Sequence, residues 1–375
     1  MHTVLRRCVA ALALLSSTCT WSQVSGPLIV APGINAGVRL DMVIPADGLP
    51  LVVYQEATVV KALKCGNATC TSGNTISSVS PLTVRRLRLA IGSDGLPLIG
   101  MSVSASALRM ARCLNAACSS VTVSVVDPAN LGANTDHAFV VPADGRPLFA
   151  YYDSNNADLK YARCADASCS SSLISVIDST GAVGNAPALA LIGGLPQIAY
   201  NGGVSAFKLA RCSSLDCTPG AAISTLSTDN ALDTSMLAGK DGNAMVAYRQ
   251  DLTSLDALRL IRCLDASCST LSNTVLDSTN SGNGVGNAAT LRVGADGLPV
   301  VTYIDFSFAA VKLLRCTRQD CLSSTITTVH APAAGVITSG HLGLAVGSSG
   351  TPVIAYNQNL SSSLLLNFCN TRSCL

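Results

Sequence analysis

The chain has 375 residues, 49% apolar and only 12% charged, with a formal net charge of +2. A nearly neutral chain without basic clusters gives no electrostatic reason to expect nucleic acid or an anionic membrane as partner. Beyond the N-terminus no segment holds the eighteen or so uninterrupted apolar residues of a membrane-spanning helix.

The first residues read Arg6-Arg7, an apolar run Cys8 to Leu15, then small and polar residues. This is the pattern of a secretory signal peptide, predicted over residues 1–22. Cleavage near Ser22 suits the small Thr20 and Ser22. Cleavage after Cys19 is an alternative, as is a lipoprotein with Cys19 modified, although Ser16 stands where that motif wants an apolar residue. Without residues 1–22 the sixteen cysteines lose Cys8 and Cys19, and the 24 basic residues lose Arg6 and Arg7, so charge balances against 22 acids. A secreted, periplasmic or cell-surface protein is expected.

Residues 23–375 are predicted to form one domain of seven repeats, each marked by Cys-x-x-x-x-Cys. The pairs are Cys65/Cys70, Cys113/Cys118, Cys164/Cys169, Cys212/Cys217, Cys263/Cys268, Cys316/Cys321 and Cys369/Cys374. Each repeat opens with an alternating apolar run such as Leu87, Leu89, Ile91, a strand with one uniformly buried face. A tight turn follows: Asp47-Gly48, Asp94-Gly95, Asp144-Gly145, Asp241-Gly242 or Asp296-Gly297, with Gly193-Gly194 and Ser349-Gly350 as variants. Such pairs signal a hairpin. The second strand carries a recurrent tyrosine (Tyr54, Tyr151, Tyr200, Tyr248, Tyr303, Tyr356), replaced once by Met101. Recurrence with the repeat marks it as packing between repeats. The third strand ends at the first cysteine, and a fourth, such as Ser175 to Asp178, runs out beyond the second.

Four antiparallel strands in about 50 residues match one blade of a β-propeller. The expected fold is all-β, a seven-bladed propeller with blades at 38–80, 84–127, 135–178, 185–228, 233–277, 287–330 and 340–375. The seventh unit runs out at its cysteine pair, while residues 26–33 hold a spare apolar strand, Leu28 to Ala31. That strand is expected to complete blade seven and close the ring, removing an open edge.

Cysteines flanking a short hairpin loop face each other across adjacent strands, and in an oxidising compartment this points to one disulfide per blade. Zinc would need four ligands, and each repeat supplies two. Asp or Asn within each pair (Asn67, Asn115, Asp166, Asp216, Asp265, Asp320, Asn370) suits an Asx turn. Basic residues stand four and one before the first cysteine: Lys61/Lys64, Arg109/Arg112, Lys160/Arg163, Lys208/Arg211, Arg259/Arg262 and Lys312/Arg315. Their repetition makes them caps for neighbouring acidic loops.

In a propeller, the Asp-Gly turns and cysteine loops share one face, and the irregular loops share the other, where function can be grafted. On that variable face the inner strands begin with Arg39, Arg86, Asp136, Asn185, Asp233, Ala288 and His341. Arg39, Arg86, Asp136, Asp233 and His341 are the candidate ligand-binding residues. The nearby loops add Glu56, Asp153, Asp158, Arg249, Asp251, Asp256 and Asp305. No cofactor is expected; Asp153 and Asp158 offer oxygens to calcium, without the spacing of an established loop. His137, His330 and His341 are the histidines available for a metal centre, at differing offsets in the repeat. No nucleophile elbow, zinc-protease helix or phosphate loop is present, so no catalytic residue is assigned.

Units of the form Asp-Gly-x-Pro, apolar run, Tyr, Leu-Lys-x-Ala-x-Cys-x-x-x-x-Cys, clearest at Asp144 to Asp178 and Asp296 to Cys321, resemble a propeller-like repeat of exported bacterial proteins of unassigned function. The resemblance spans the mature chain, implies architecture, and brings no catalytic residues. The sequence reading is a monomeric, non-enzymatic binding scaffold for a protein, peptide or glycan. The alternative is a metal-dependent hydrolase or lyase with its site at the channel mouth.

Overall fold

A computed structural model describes residues 27–32, 37, 39–103, 106–251, 256–278, 284–331, 341–358 and 363–375. The signal peptide expected over residues 1–22 lies outside them. Seven four-stranded antiparallel sheets form the blades of a ring, each running from an inner first strand to an outer fourth strand. Blade three, for example, is built from His137–Val140, Leu148–Asp153, Asp158–Cys164 and Ser172–Asp178. In the closing sheet Leu28–Ala31 pairs with Ser363–Phe368, with Leu28 opposite Leu366 and Ala31 opposite Leu364. The ring is closed by the N-terminal strand.

The core lies between blades rather than within them. Val53 and Ala62 of blade one pack with Leu87, Ile99 and Met101 of blade two. Leu40, Met42 and Tyr54 of blade one pack with Ala355, Leu364 and Leu366 of blade seven. Second and third strands are covered on both faces, which explains their apolar runs.

The recurrent tyrosines are fully buried at these boundaries. Four of their hydroxyls reach an aspartate at or just past the end of the preceding blade's outer strand. Tyr151 donates to Asp127 at 2.7 Å, Tyr200 to Asp178 at 2.8 Å, Tyr248 to Asp229 at 2.5 Å and Tyr303 to Asp277 at 2.5 Å. The lysine four before the first cysteine joins the same carboxylate, as with Lys208 and Asp178 at 2.9 Å and Lys312 and Asp277 at 3.3 Å. In blade five Arg259 donates to Gln250, which donates to Asp229. The Tyr54 and Tyr356 hydroxyls find no such carboxylate, because the preceding strands end in Ala31 and His330 instead of an aspartate.

The basic residue one before the cysteine is tied within its own blade to the Asp-Gly turn. Lys64 pairs with Asp47, Arg112 with Asp94, Arg163 with Asp144, Arg262 with Asp241 and Arg315 with Asp296. Blade seven lacks both partners, having Ser349 and Phe368. The turns themselves differ from the two-residue hairpin that Asp-Gly suggests. Gly95 N–H donates to Gly92 and Gly92 N–H to Leu96, so Asp94 sits inside a longer turn and only the glycine takes a positive φ. The aspartate side chain instead accepts from the backbone N–H two residues on. Blade four alone has the short form, with Gly193 and Gly194 at φ 58° and 82° and Ile192 opposite Leu195.

All seven cysteine pairs are bridged within their own blades, with Cα atoms 4.6 to 4.9 Å apart. The pairing is as expected, but its geometry corrects the sequence reading. The two cysteines of a pair are not opposed across adjacent strands. Cys113 faces Val121, Cys164 faces Ser172 and Cys263 faces Leu271. The second cysteines Cys70, Cys118, Cys169, Cys217, Cys268, Cys321 and Cys374 all lie outside the strands, within the loop. The reason is a tight turn that each of them closes. Cys70 N–H donates to the Asn67 carbonyl, Cys118 to Asn115, Cys217 to Ser214, Cys268 to Asp265 and Cys374 to Thr371. At the end of that turn the backbone is left-handed, with φ of 56° at Cys70, 52° at Cys118, 53° at Cys217, 55° at Cys268 and 59° at Cys374. There the bridge holds a residue with a Cβ in a conformation that glycine usually occupies. The Asx expectation holds at Asn67, Asp166, Asp265 and Asp320. Asp216, placed later in its loop, pairs instead with Arg163 of the preceding blade.

Closure of the ring can be tested by deletion. Removing residues 27–32 exposes the edge of Ser363–Phe368 and should lower the melting temperature by about 5 °C, read by calorimetry, with association visible in size-exclusion chromatography. A truncated protein that melts and elutes like its parent would refute closure by this strand. The boundary carboxylates can be tested with acid. Burial opposes ionisation of Asp178, but Lys208, the Thr180 N–H and the Tyr200 hydroxyl together hold its carboxyl below the usual carboxylate range. A depressed folded pKa contributes stability above the unfolded value, about 4, that is lost as pH falls through the folded value. Asp178→Asn should therefore cost about 2 kcal/mol at pH 7, and the gap from wild type should narrow towards pH 3.

Candidate functional site at the channel mouth

Inner strands surround a central channel, and their first residues lie on the face of the irregular loops. A cavity of about 200 Å³ within the channel draws its walls from all seven blades, including Asp41, Arg88, Ala138, Asp233, Arg292 and His341. A more open cavity of about 400 Å³ at the mouth is lined by Arg39, Arg85, Arg86, Asp136, Tyr152 and His341, among others. Arg86 and His341 line both, so they form the common wall.

Of the five residues singled out from the sequence, Arg39, Arg86, Asp136 and His341 meet at the mouth. Arg86 Nε stands 3.0 Å from Asp136, and its Nη1 is 2.7 Å from His341 Nε2. A guanidinium can only donate, so His341 Nε2 accepts and the ring's proton is on Nδ1. Asp233 lies deeper and is bound to Arg249 at 3.0 Å. Arg249 also holds Asp251 and Asp256, so this group of loop charges closes on itself. Glu56 is likewise paired with Lys61, and Asp305 with Lys312.

The walls differ around the ring. In blades four to six the inner strand carries a bulge, and Ala186, Asp233 and Ala288 adopt φ of 48°, 50° and 55°. At the blade-four bulge the Ala186 carbonyl accepts from Thr234 of the next blade, and Thr290 of blade six donates to the Leu342 carbonyl of blade seven. Nothing in Asn-Ala-Pro or Leu-Asp-Thr announces this, because no glycine marks the left-handed position. Blades one and two supply most of the cations, Arg39, Arg85, Arg86 and Arg88, and blade six adds Arg292. Sequence reading passed over Arg85, Arg88 and Arg292; the signal was the alternation Arg86-x-Arg88, which places two arginines on one side of a single strand.

Desolvation of Arg39, with the repulsion of Arg85 and Arg86, lowers its pKa. Burial, then Arg86, lowers that of Arg88 to about 10. Arg88 stays charged at neutral pH.

The three histidines have separate surroundings. His137 is fully buried beside Phe149 and held neutral, its pKa lowered to about 3 by burial and then by Arg88. His330, on an outer strand, packs on Tyr356 with ring centres 5.4 Å apart. His341 is in the channel. Among the described residues no group of three or more His, Cys, Asp or Glu is arranged to hold a metal. The Asp153 carboxylate, proposed from sequence as a calcium ligand with Asp158, accepts from Lys160 Nζ at 2.9 Å and Asn156 at 2.8 Å.

No protein-family model matches the sequence, and neither does any curated protein. Solved structures do resemble the fold. A protein of unknown function from Dyadobacter fermentans aligns over 92% of this chain and 99% of its own, with TM-score 0.53 and 10% identity. The polysaccharide lyase Uly1 aligns over 94% and 93%, with TM-score 0.55 and 9% identity. A mutant Aleuria aurantia lectin in complex with Fucα1-6GlcNAc aligns over 82% and 98%, with TM-score 0.51 and 9% identity. At such identities what is shared is the fold alone.

Gly100, on the second strand of blade two, tests how closely the boundary with blade three is packed. A Cβ there would lie 2.7 Å from His137 Nε2 and 3.1 Å from Phe149. Gly100→Ala should destabilise by about 1–3 kcal/mol through overpacking, measured by thermal melting, and Gly100→Val by more. Unchanged melting would mean that His137 has room to move.

Proposed function

We propose that this chain is an exported, non-enzymatic propeller that binds a protein, peptide or glycan at the channel mouth. One observation carries the reading. The charges that recur with the blade are engaged mainly in structural pairs, whereas the non-repeating Arg39, Arg86, Asp136 and His341 converge on an open cavity. Seven disulfides suit an oxidising compartment, as export requires. No helix among the described residues is long and apolar enough to cross a membrane. A glycan is the favoured ligand class, since a fucose-bound lectin and a polysaccharide lyase are built on similar frames. For the alternative, a metal-dependent hydrolase or lyase, no group of three or more His, Cys, Asp or Glu among the described residues is arranged to hold a metal.

The test is a glycan array on the mature protein, repeated with Arg86→Glu and with Asp94→Asn on the opposite face. Arg86→Glu should weaken binding about tenfold or more, as expected for a charge-assisted contact at a ligand site. Asp94→Asn should shift only the melting temperature. Loss of binding in folded Asp94→Asn, with Arg86→Glu unchanged, would put the site on the other face. Cleavage of a bound polysaccharide would make the protein an enzyme.

A further inference from the structure

The position of Arg88 is unusual for this fold. The same register position of the inner strand holds Asp41, Ala138, Ala188, Ser235, Thr290 and Gly343 in the other blades. Five of these are small, so packing at this position does not call for a long cation. Arg88 lines the channel cavity, yet among the described residues it has neither a hydrogen bond nor an ion pair. The nearest acids are spent elsewhere. Asp41 accepts backbone N–H groups from Met42 at 2.8 Å and Leu89 at 2.9 Å, and Asp136 is paired with Arg86. Arg292, on the far wall of the same cavity, is 3.9 Å from Asp41 and repels Arg88, as Arg86 does. Three guanidinium groups thus share one cavity, where burial and the repulsion of Arg86 and Arg292 outweigh the attraction of Asp136 and Asp41 and oppose the charge on Arg88.

Like charges confined in this way are unfavourable in the empty protein and become favourable once an anion enters. We propose that the channel receives an oxyanion, the carboxylate or sulfate of an acidic ligand, between Arg88, Arg86 and Arg292, with Arg39 and Arg85 drawing it in from the mouth. This rests on the channel-mouth reading and names the chemistry of what binds there. Planar guanidinium groups pair with carboxylate or sulfate through two parallel hydrogen bonds, which a neutral sugar hydroxyl cannot match. The cavity of about 200 Å³ has room for such a group with part of one sugar ring. The source is either a free small oxyanion or the acidic end of a saccharide.

The experiment is isothermal titration calorimetry of the mature protein at low ionic strength, where screening is weak. The probes are sodium sulfate, galacturonate, tetragalacturonate and a neutral galactose tetramer. The acidic probes should bind, and Arg88→Gln should weaken them about tenfold. Tetragalacturonate binding more tightly than sulfate or galacturonate identifies a saccharide; equal affinities identify the small oxyanion. Ligand-free Arg88→Gln should melt no lower than wild type, since the substitution relieves repulsion. A structural arginine would lower it. Acidic binding unchanged in Arg88→Gln, or no acidic binding at all, overturns the inference. Should the neutral tetramer bind as well as the acidic one, and Arg86→Glu abolish it, the anion chemistry falls while the site stands.

Discussion

The buried hydroxyl-to-carboxylate bond across the blade boundaries is the contact around which the ring is organised. A four-stranded sheet covered on both faces cannot bury itself, so each blade is stable only against its neighbours. Apolar packing supplies the driving force but is tolerant of sliding. The Tyr200 hydroxyl on Asp178, joined by Lys208, fixes how far one blade stands along the next. The outer rim repeats the principle with hydroxyls on the cysteine loops: Ser124 donates to the Ser168 carbonyl and Thr327 to that of Ser373. In both loops the accepting residue immediately precedes the second cysteine, Cys169 or Cys374, so the disulfide also holds a docking point for the neighbouring blade.

This arrangement separates the two faces. The turn and cysteine face repeats because the bridge in every blade, and in five of them the acid–base pair, hold the blade's own hairpins. The opposite face is relieved of that duty. Its side chains vary from blade to blade without disturbing the ring, as Asp136, Asn185 and Ala288 do at comparable places. The bulges of blades four to six line one side of the channel with backbone and mostly small side chains, and the cations come from blades one and two, joined by Arg292 of blade six.

Architecture was legible in the sequence because it is periodic. Blade number, closure by Leu28–Ala31 and the pairing of the cysteines all follow from counting. What counting missed is local geometry. The left-handed backbone at Cys70, Cys118 and their counterparts is hidden because a disulfide, rather than a glycine, sustains it. The Asp-Gly turns look like two-residue hairpins, but the aspartate is needed as an acceptor for the next backbone N–H and for Arg112 or Arg262. At the mouth, Arg39, Arg86, Asp136 and His341 could be brought together by register alone. Arg88 could not, since its lack of a partner emerges only when Asp41 is seen bound to Leu89.

The boundary contact is also unevenly distributed. Met101 has no hydroxyl to offer, and those of Tyr54 and Tyr356 meet no carboxylate. These are the junctions of blades six, seven, one and two, on either side of the point where the chain's two ends meet. They form the seam of the ring, held without the tyrosine–carboxylate contact by apolar packing, a short terminal strand and bonds such as Leu89 N–H to Asp41 and Thr327 to Ser373. Arg39, Arg86 and His341 belong to blades one, two and seven, so any molecule gripping all three lies across that seam as a clasp. A ligand held there, as proposed, would tie together the blades that lack the boundary carboxylate.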